Sequence, residues 1–425
     1  MTAVYNFAMR LVWLLCRTVW ASEWLQRHIG KRWPKVLRLV MGQQGQFDSI
    51  ASQLAKLADG QVCWIHAASY GEYNVIRPVV QRLRGEGCHI MLTFFSPSGY
   101  EVLTERNRTT AEVDLVAYLP LDTPANVRRF LDIVRPVKAV FVISEYWLNY
   151  LRALRKRNID TYFVSMRVAA DSYILKWYGS LIRRELKACR MLMVTEEQSA
   201  RNLRNVGIER VLVTGDPLFD NAVATAREEY HDETIERFIA GTDGVLVAGS
   251  ISDDKDLSLV AALANKHRDL RIIIVPHELG EESLSQIERS LEGRSIRYSA
   301  CKPDTDLRDI QVLVADLMGV LARIYRYGRW AYVGGGFTPY LHSVIEPAVY
   351  GLPVAFGPRF GRQRATTELL EIGVGKTVET PADLIAWMER LRADESLMAQ
   401  IRQKALDFVE RNAKAARIVA QEILK

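Results

Sequence analysis

The sequence predicts an α/β protein made of two Rossmann-like, doubly wound domains that face each other across a cleft. Short apolar runs of strand length alternate with segments of helix length from about residue 62 onward, a pattern typical of parallel sheets covered by helices. The alternation restarts near residue 244. The chain has 425 residues, which is more than one hydrophobic core usually supports. Two domains are therefore expected.

The composition is that of an ordinary folded protein, with 49% hydrophobic and 25% charged residues and no low-complexity tract or short repeat. Five cysteines are scattered without a CxxC pair, which indicates reduced thiols in a cytosolic compartment. Seven histidines form no HExxH-like cluster, and the adjacent Asp253 and Asp254 are interpreted as a solvated turn rather than a DxD pair. No metal site is predicted.

Residues 1–40 are predicted to form a membrane-interface helix with a basic flank. The segment 1–22 is rich in large apolar residues, and a spanning helix needs about 20 mostly apolar residues. Arg10 and Arg17 fall inside that length and share one helix face with Asn6. A one-sided polar stripe favours a helix lying in the interface. The alternative is a helix that docks on its own domain.

The net charge of +6 is confined to the N-terminal segment. Residues 1–40 hold seven basic residues and one acid, so the rest of the chain is neutral overall. A nucleic-acid-binding protein more often carries a basic face on its folded domain, and nucleic acid is therefore not expected as a partner. A basic helix suits the anionic cytoplasmic leaflet of a membrane.

The first domain is predicted over residues 41–215. Its strands are expected at 62–66, 89–95, 117–121, 139–143, 161–165 and 191–195, with helices at 73–84 and 124–134. Glu72, Glu145 and Arg167 follow such strands, at the edge where parallel sheets bind ligands. Glu72 opens a helix, where it suits either a base toward a hydroxyl nucleophile or a helix-capping acid. Both interpretations stay open.

The second domain is predicted over residues 216–400, after a break at 215–217. A charged helix around 228–239 is expected to bridge the domains, and residues 401–425 are expected to form a C-terminal helix that packs back across the junction. Strands are expected at 244–250, 271–275, 312–315, 330–333 and 353–356, with helices at 256–266, 320–327 and 343–350.

The stretch 334–358 indicates a ligand-binding site in the second domain. Three consecutive glycines follow a predicted strand and precede a predicted helix that starts near Ser343. The N-terminus of such a helix suits an anion, and glycine lets a ligand approach the backbone. Glu346, one turn into the helix, can accept hydrogen bonds from sugar hydroxyls. Together these features predict a nucleotide-sugar site.

Seven sequence blocks, in this order, resemble the 3-deoxy-D-manno-octulosonic acid (Kdo) transferases of lipopolysaccharide assembly, in the versions typical of Bacteroidetes. The blocks are IHAASYGE (65–72), FFSPSGYE (94–101), YLPLDTPANVRRFL (118–131), SEYW (144–147), VTGDPLFD (213–220), DLMGVL (316–321) and HSVIEPAVYGLPVAFGP (342–358). The resemblance implies the GT-B glycosyltransferase fold and transfer of Kdo from CMP-Kdo to a lipid A precursor, lipid IVA. It also implies an N-terminal interfacial helix at the cytoplasmic face of the inner membrane.

The resemblance assigns roles to individual residues. Glu72 matches the family's catalytic base, Glu145 matches a second acidic residue that assists at the transition state, and Arg167 matches an arginine of a strand-end motif. The segments that bind the CMP part of the donor are matched by Pro276, His277, Met318, Gly319, Val320, Ser343, Val344, Ile345 and Glu346. These assignments imply an inverting, metal-independent reaction that needs no cofactor besides the donor substrate.

Two departures from the family pattern keep other functions open. Leu218 and His277 stand where the family often has a basic residue and an arginine. Another cation, such as Arg167 or Arg359, is then needed to offset charge in the transition state, or the donor or acceptor has changed. The alternatives are a membrane-associated GT-B enzyme that uses a different nucleotide sugar, such as a UDP-linked one, and a non-catalytic nucleotide-sugar-binding protein.

Overall fold

A computed structural model of the chain describes residues 2–57, 60–338, 341–361 and 363–425. The chain divides into two compact units. The first comprises Met1–Asn221 together with Ala413–Lys425, and the second comprises Ala222–Asn412. The chain therefore leaves the first unit once and returns to it for its last helix.

The first unit is built on a seven-stranded parallel sheet with the order β3-β2-β1-β4-β5-β6-β7. Its strands are β1 (Val62–Ala67), β2 (His89–Phe94), β3 (Leu115–Tyr118), β4 (Lys138–Val142), β5 (Asp160–Met166), β6 (Met191–Val194) and β7 (Val211–Val213). The strand order reverses between β1 and β4, which pair through Cys63 and Lys138. In doubly wound sheets this reversal opens a crevice beyond the carboxyl ends of the two strands.

Two of the helices that connect these strands begin at side-chain caps. Ser69 accepts the N–H of Glu72 at the start of α5, and Thr123 accepts the N–H of Asn126 ahead of Pro124 at the start of α7. The helices are α1 (Thr2–Trp20), α2 (Glu23–Arg32), α3 (Pro34–Gly42), α4 (Gln46–Leu54), α5 (Tyr70–Gly85), α6 (Pro97–Thr110), α7 (Pro124–Val134), α8 (Leu148–Lys156), α9 (Ser180–Leu186), α10 (Glu197–Arg204) and α11 (Leu218–Arg227).

The sheet of the first unit separates two layers of hydrophobic core. Along β1, Trp64 faces one layer while Ile65 faces the other, as the period of two in a strand requires. Trp64 packs against Phe130 and Tyr150, with ring centroids 4.9 and 5.3 Å apart. Since both faces are covered, the strands read as continuous apolar runs, which is why the sequence reveals them.

Helix α1 docks on the first unit through one face. Tyr5 donates to Asp122, and Cys16 and Val19 are buried. The opposite face exposes a row of large apolar side chains: Val4, Phe7, Leu11, Leu14 and Leu15. Of the chain that the structure describes, no helix has the combination of length and apolar character that crossing a bilayer requires. The predicted alternative of a helix that docks on its own domain is thus observed, and attachment to a membrane through the exposed side chains stays a prediction.

The second unit has its own seven-stranded parallel sheet, with the order β10-β11-β9-β8-β12-β13-β14. Its strands are β8 (Val245–Ile251), β9 (Arg271–Pro276), β10 (Ser295–Arg297), β11 (Val312–Val314), β12 (Trp330–Val333), β13 (Val354–Phe356) and β14 (Gly375–Thr377). Here the order reverses between β8 and β12. The predicted α/β class with two doubly wound parallel sheets is confirmed.

The second unit's helices include one with a capping box, in which Thr380 and Asp383 cap each other's backbone at the start of α18. They are α12 (Glu233–Ile239), α13 (Asp254–Lys266), α14 (Glu281–Ser290), α15 (Leu321–Ile324), α16 (Ile345–Ala348), α17 (Arg364–Glu371), α18 (Pro381–Ala393) and α19 (Glu395–Asn412). The last helix, α20 (Ala415–Leu424), belongs to the first unit. Its Val419 and Ile423 join the core layer beneath α5.

Three local predictions were wrong. The helix expected at 228–239 starts only at Glu233, because Asp232 accepts the N–H of Ile235 and caps it. The Asp253 and Asp254 pair is not a solvated turn: Asp253 accepts two backbone N–H groups and begins α13. The helix expected at 343–350 is a single turn, α16, which Gly351 ends with φ 77°. Strands β7, β10 and β14, each of three residues, were not predicted.

Candidate functional site

Each unit carries predicted site residues at the carboxyl edge of its sheet. In the first unit, Glu72 follows β1, Glu145 follows β4 and Arg167 follows β5. These three strands are neighbours in the sheet, and β1 and β4 flank the point where the strand order reverses. The fold therefore gathers Glu72 and Glu145 where a doubly wound sheet binds its ligand.

Glu72 serves the start of its own helix. Its backbone N–H donates to Ser69 Oγ at 3.4 Å, and its Oε2 accepts the backbone N–H of Ala68 at 2.5 Å. The segment Ser69 to Glu72 has the spacing of a capping box, although the glutamate caps the residue before the serine. The capping interpretation of Glu72 is thus realised in the structure, through one carboxylate oxygen.

The same carboxyl group is unusually basic. The pKa of Glu72 is raised to about 7: burial is the main cause, the hydrogen bond from Ala68 opposes it, and the nearby charge of Glu145 adds a smaller increase. Desolvation penalises the charged form most, so the proton is held more tightly than in an ordinary glutamate. A carboxylate with a pKa near neutrality suits general-base catalysis at neutral pH. Capping and basicity therefore coexist in one side chain.

Glu145 lies beside a histidine that the sequence analysis did not single out. His66, fully buried on β1, has its Nε2 3.7 Å from Glu145 Oε2. The indole N–H of Trp147 donates to the same Nε2 at 3.1 Å, and His66 Nδ1 lies 3.1 Å from the carbonyl oxygen of Thr93. Since Nδ1 donates to a carbonyl and Nε2 accepts an N–H, these partners select the neutral ring. Trp147 and His66 thus lie beside Glu145 as neutral side chains, and His66 forms no ion pair with it.

Arg167 is held by an aspartate. Its Nη2 donates to Asp216 Oδ2 at 2.6 Å, while Ser165 Oγ and the Leu218 N–H donate to Asp216 Oδ1, each at 3.1 Å. Asp216 is buried, and the Arg167 side chain is 46% exposed. Asp216 had been noted only as part of a break between domains. Leu218, where the resemblance leads us to expect a basic residue, packs against the core and supplies no charge.

Two backbone positions beside this site are strained. Ile143, two residues before Glu145, has φ 64°, and Ser165, two residues before Arg167, has φ 59°. A β-branched residue in the left-handed region is uncommon, and each such residue costs on the order of 1–3 kcal/mol. Ile143 is held by its N–H bond to Val164 at 2.8 Å. Strain of this kind concentrates at functional sites, consistent with a site at this edge.

In the second unit, the glycine stretch is anchored by a buried aspartate that the sequence analysis also missed. Asp256 accepts the Gly335 N–H and the Tyr332 hydroxyl, each at 2.7 Å. A Cβ on Gly334 would lie 2.2 Å from the Ser250 carbonyl oxygen, and one on Gly336 would lie 2.4 Å from the Gly357 nitrogen. The glycines are therefore required for backbone packing at the sheet edge, beyond any approach of a ligand.

The predicted donor-binding residues follow β9, β11 and β12 in this unit. They are Pro276 and His277 after β9; Met318, Gly319 and Val320 before α15; and Ser343, Val344, Ile345 and Glu346 around the start of α16. The rings of His277 and His342 lie 4.6 Å apart, so the first and third segments meet. The Tyr350 hydroxyl donates to the Ala322 carbonyl at 2.9 Å, which brings α15 beside the turn that follows α16.

Not all polar groups of this second site have a hydrogen-bond partner within the described part of the chain. Ser343 Oγ is buried and has no hydrogen-bond partner among the described residues. Burial raises the pKa of Glu346 to about 7, and burial together with His277 lowers the pKa of His342 to about 4. Since α16 has only one turn, the helix-dipole argument for a phosphate at Ser343 does not apply. His277 and Arg359 are exposed, and the backbone N–H of Arg359 donates to the Gly336 carbonyl at 2.7 Å.

Within the described ranges, no group of three or more His, Cys, Asp or Glu side chains is placed to hold a metal ion. The first unit offers a basic carboxylate beside a second carboxylate. The second unit offers a glycine loop, a buried acid and a histidine pair. Group transfer from an activated sugar needs these two components: a base, which the first unit offers, and polar groups suited to a nucleotide, which the second unit offers.

Comparison with known proteins agrees with this arrangement. The family model described as 3-deoxy-D-manno-octulosonic-acid transferase (kdotransferase) matches residues 38–221. Similar proteins named 3-deoxy-D-manno-octulosonic acid transferase include those of Bordetella pertussis, 27% identical over 97% of this chain and 96% of the relative, and Chlamydia trachomatis, 26% identical over 83% of each chain. That of Aquifex aeolicus is 25% identical over 77% of this chain and 85% of the relative. The resemblance to Kdo transferases is confirmed, and its Bacteroidetes flavour stays a prediction.

Solved structures agree on the fold. The UDP-GlcNAc 2-epimerase of Neisseria meningitidis bound to UDP-GlcNAc has a TM-score of 0.63 at 14% identity, covering 86% of this chain and 99% of that chain. A glycosyltransferase of Rickettsia africae has a TM-score of 0.58 at 12% identity, covering 87% and 100%. At such low identity these likenesses show the fold alone. The predicted GT-B fold class is confirmed.

Proposed function

We propose that this chain, which belongs to the Kdo transferase family, transfers Kdo from CMP-Kdo to lipid IVA, a lipid A precursor, at the cytoplasmic face of the inner membrane. The reaction is inverting and uses no metal. In this proposal Glu72 is the base, Glu145 assists it, and the polar residues of the second unit hold the donor. The resemblance of seven ordered blocks and the similarity of the chain to named Kdo transferases over most of its length support this function.

The observation that carries the proposal is the raised pKa of Glu72, about 7, at the strand-order reversal of the first sheet. An acceptor hydroxyl must lose its proton as its oxygen bonds to the anomeric carbon of Kdo. Glu72 takes that proton, the bond from the anomeric carbon to the CMP phosphate oxygen breaks, and CMP leaves with the electron pair. A base with a pKa near the working pH gives the best compromise between being ionised and being strong.

Glu145 contributes charge at the same edge. Its charge raises the pKa of Glu72, so it makes the base stronger while it remains ionised. As positive charge builds on the sugar carbon, a carboxylate held against the neutral pair His66 and Trp147 is well suited to stabilise it. A neutral His66 leaves that negative charge uncompensated, which a cationic histidine would not.

The second unit supplies polar groups for the donor. The unpartnered hydroxyl of Ser343 and the exposed His277 suit the phosphate of CMP, and Glu346 suits the ribose hydroxyls. Leu218 stands where the family pattern has a cation, and Arg167 is already paired with Asp216. We therefore assign to Arg359, an exposed cation that follows the glycine-lined strand end, the larger share of the charge compensation on the leaving phosphate.

Membrane attachment is assigned to the exposed face of α1. Val4 and Phe7 are each 70% exposed, and Leu14 and Leu15 are more than half exposed. Tryptophans and basic residues flank them, as in helices that lie in the membrane interface. Sedimentation with vesicles containing anionic lipid tests this part: the wild-type protein is expected to bind, and Phe7→Ser combined with Leu14→Ser is expected to release it. Unchanged binding of that variant would place the attachment elsewhere.

The decisive experiment is a transfer assay. Purified protein is incubated with CMP-Kdo and tetra-acylated lipid A precursor, and the product is analysed by mass spectrometry. A mass gain of one or more Kdo units supports the proposal, and the same assay counts the units. No gain with CMP-Kdo, in a preparation whose fold is verified by circular dichroism, would overturn it.

A second candidate is a related membrane glycosyltransferase with a different nucleotide sugar. His277 and Leu218 favour it, because both replace basic residues of the family pattern. A thermal-shift panel of CMP and UDP separates the two, since a ligand that binds only the folded state raises its stability. Stabilisation by CMP alone supports Kdo transfer, whereas stabilisation by UDP alone supports the second candidate.

A further inference from the structure

Asp122 is a fully buried carboxylate that organises the start of α8. Its Oδ2 accepts the N–H of Asn149 and its Oδ1 accepts the N–H of Tyr150, each at 3.0 Å. Trp147 is the N-cap residue of α8 but supplies no side-chain cap. The aspartate, 25 residues earlier in the chain, replaces it. Because the first N–H groups of a helix lack intrahelical partners, Asp122 fixes where α8 begins.

Helix α1 completes the coordination of this carboxylate. The Tyr5 hydroxyl donates to Asp122 Oδ2 at 2.6 Å, and Asn149 Nδ2 donates to Asn6 Oδ1 at 2.8 Å. Arg152, one turn further along α8, donates to Thr2 Oγ1 at 3.2 Å. Burial and the charge of Asp122 raise the pKa of Tyr5, so its hydroxyl stays protonated and able to donate. The first turns of α1 and α8 thus share one buried hydrogen-bond network.

The start of α8 is directly joined to the candidate catalytic carboxylate. Glu145 lies two residues before Trp147, the N-cap of α8. The Trp147 indole is held by His66 at 3.1 Å, and His66 in turn lies 3.7 Å from Glu145. Tyr146, between them, packs on Phe163 with ring centroids 5.7 Å apart. A shift in the first turn of α8 therefore displaces Trp147 and the backbone that carries Glu145.

We propose that Tyr5 is a positioning residue, through which the N-terminal helix sets the place of Glu145 by its hydrogen bond to Asp122. This inference rests on the proposed function, since it takes Glu145 to act in Kdo transfer. It gives α1 a role besides attachment. The apolar face of the helix contacts the membrane, while the opposite face keeps Glu145 in its active position. The enzyme is then fully active only with α1 docked, even toward an acceptor dispersed in detergent.

The test uses the full-length protein and two tyrosine variants. Tyr5→Phe removes one hydroxyl and keeps the ring. With detergent-dispersed acceptor, its kcat is expected to fall about tenfold, the size expected for a lost hydrogen bond to a charged group, while KM for CMP-Kdo and binding to vesicles stay within about twofold. This split between kcat and KM separates positioning from general loss of folded protein, which would be seen as a lower active fraction in a CMP titration.

Tyr298→Phe is the matched control. The Tyr298 hydroxyl donates at 3.0 Å to Asp232, which caps α12 in the second unit. Tyr298→Phe therefore also removes a hydrogen bond from a tyrosine to a helix-capping aspartate, but this helix positions none of the predicted site residues. Its kcat is expected to match the wild type. Unchanged kcat in Tyr5→Phe, or an equal loss in both variants, overturns the inference. An inactive wild type would instead refute the proposed function.

Discussion

The Oε2 atom of Glu72 accepts the backbone N–H of Ala68 at 2.5 Å, so the residue with the chemistry of a base also stabilises the start of its helix. A hydrogen bond to the charged form lowers the pKa of a carboxyl group, but burial outweighs it here and the pKa stands at about 7. The hydrogen bond thereby fixes the geometry of the base, while its pKa stays well above that of an ordinary glutamate. Structural and catalytic roles of this side chain must be separated by substitution.

Glu72→Gln is expected to lower kcat by roughly 10²–10⁴-fold, the usual contribution of a general base. The amide oxygen can still accept the Ala68 N–H, so the helix start and the fold are retained. Binding of CMP, measured by calorimetry, should change little because the predicted donor-binding residues lie in the second unit.

Asp383→Asn is a suitable control for this substitution, because Asp383 is the capping acid of α18 and no role in transfer is proposed for it. It should lose some thermal stability and keep its turnover. If Glu72→Gln turns over like the wild type, Glu72 is a capping residue only.

The pH dependence of kcat/KM should show an acid limb near the pKa of Glu72, about 7. The base must be ionised to accept a proton, so activity rises with pH through this value and levels off above it. Because the charge of Glu145 raises this pKa, Glu145→Gln removes that charge and should move the limb to lower pH, besides lowering the plateau. Glu197→Gln, a change at an exposed residue of α10, should leave the limb in place. A limb that stays fixed in Glu145→Gln would show that another group titrates.

Much of the fold follows from local pattern. Most strands of both sheets are apolar runs buried on both faces, and the polar residues that follow them, such as Glu72 and Glu145, are visible as strand ends. Strands β7, β10 and β14 escaped detection, since three residues carry little periodicity, whereas the equally short β11 and β13 were predicted. The length of α16 was overestimated although Pro347 and the β-branched Val344, Ile345 and Val349 disfavour a longer helix there.

The supporting residues of the sites were less predictable. Tyr5 and Asp122 are 117 residues apart in the chain, and Asp256 and Gly335 are 79 apart. Nothing in local periodicity links such partners, because their pairing is decided by the packed fold. His66 is closer to discovery from sequence: it stands in the same block as Glu72, at a buried strand position where a polar side chain requires a partner.

Asp256→Asn is expected to destabilise the second unit by about 1–3 kcal/mol and to weaken CMP binding. The carboxylate accepts from Gly335 and Tyr332 through different oxygens, and an amide has one acceptor oxygen and a donor group in place of the other. One buried donor is left without an acceptor, and the glycine loop loses its anchor. Urea denaturation and a CMP titration measure the two effects.

Tyr332→Phe distinguishes the loop from the rest of the network. It removes the hydroxyl and leaves the Gly335 bond to Asp256 intact, so stability should fall while CMP affinity stays within about twofold. If the two variants lose CMP affinity equally, the anchoring of Gly335 is not what shapes the donor site.

His277→Arg is expected to tighten CMP binding by about tenfold at pH 8, since charge-assisted hydrogen bonds to phosphate are stronger than neutral ones. Burial and the neighbouring His277 together lower the pKa of His342 to about 4, so His342 is neutral near pH 7. Of the two imidazoles, His277 is therefore the one suited to bind an anion. A histidine is only partly charged near neutral pH, whereas arginine is always charged.

Calorimetric titrations of CMP at pH 8 measure the gain from His277→Arg, and His277→Gln is the neutral control, which should not tighten binding. No gain in His277→Arg would place the phosphate away from His277, and the departure from the family pattern at this position would then have to be explained by a different donor.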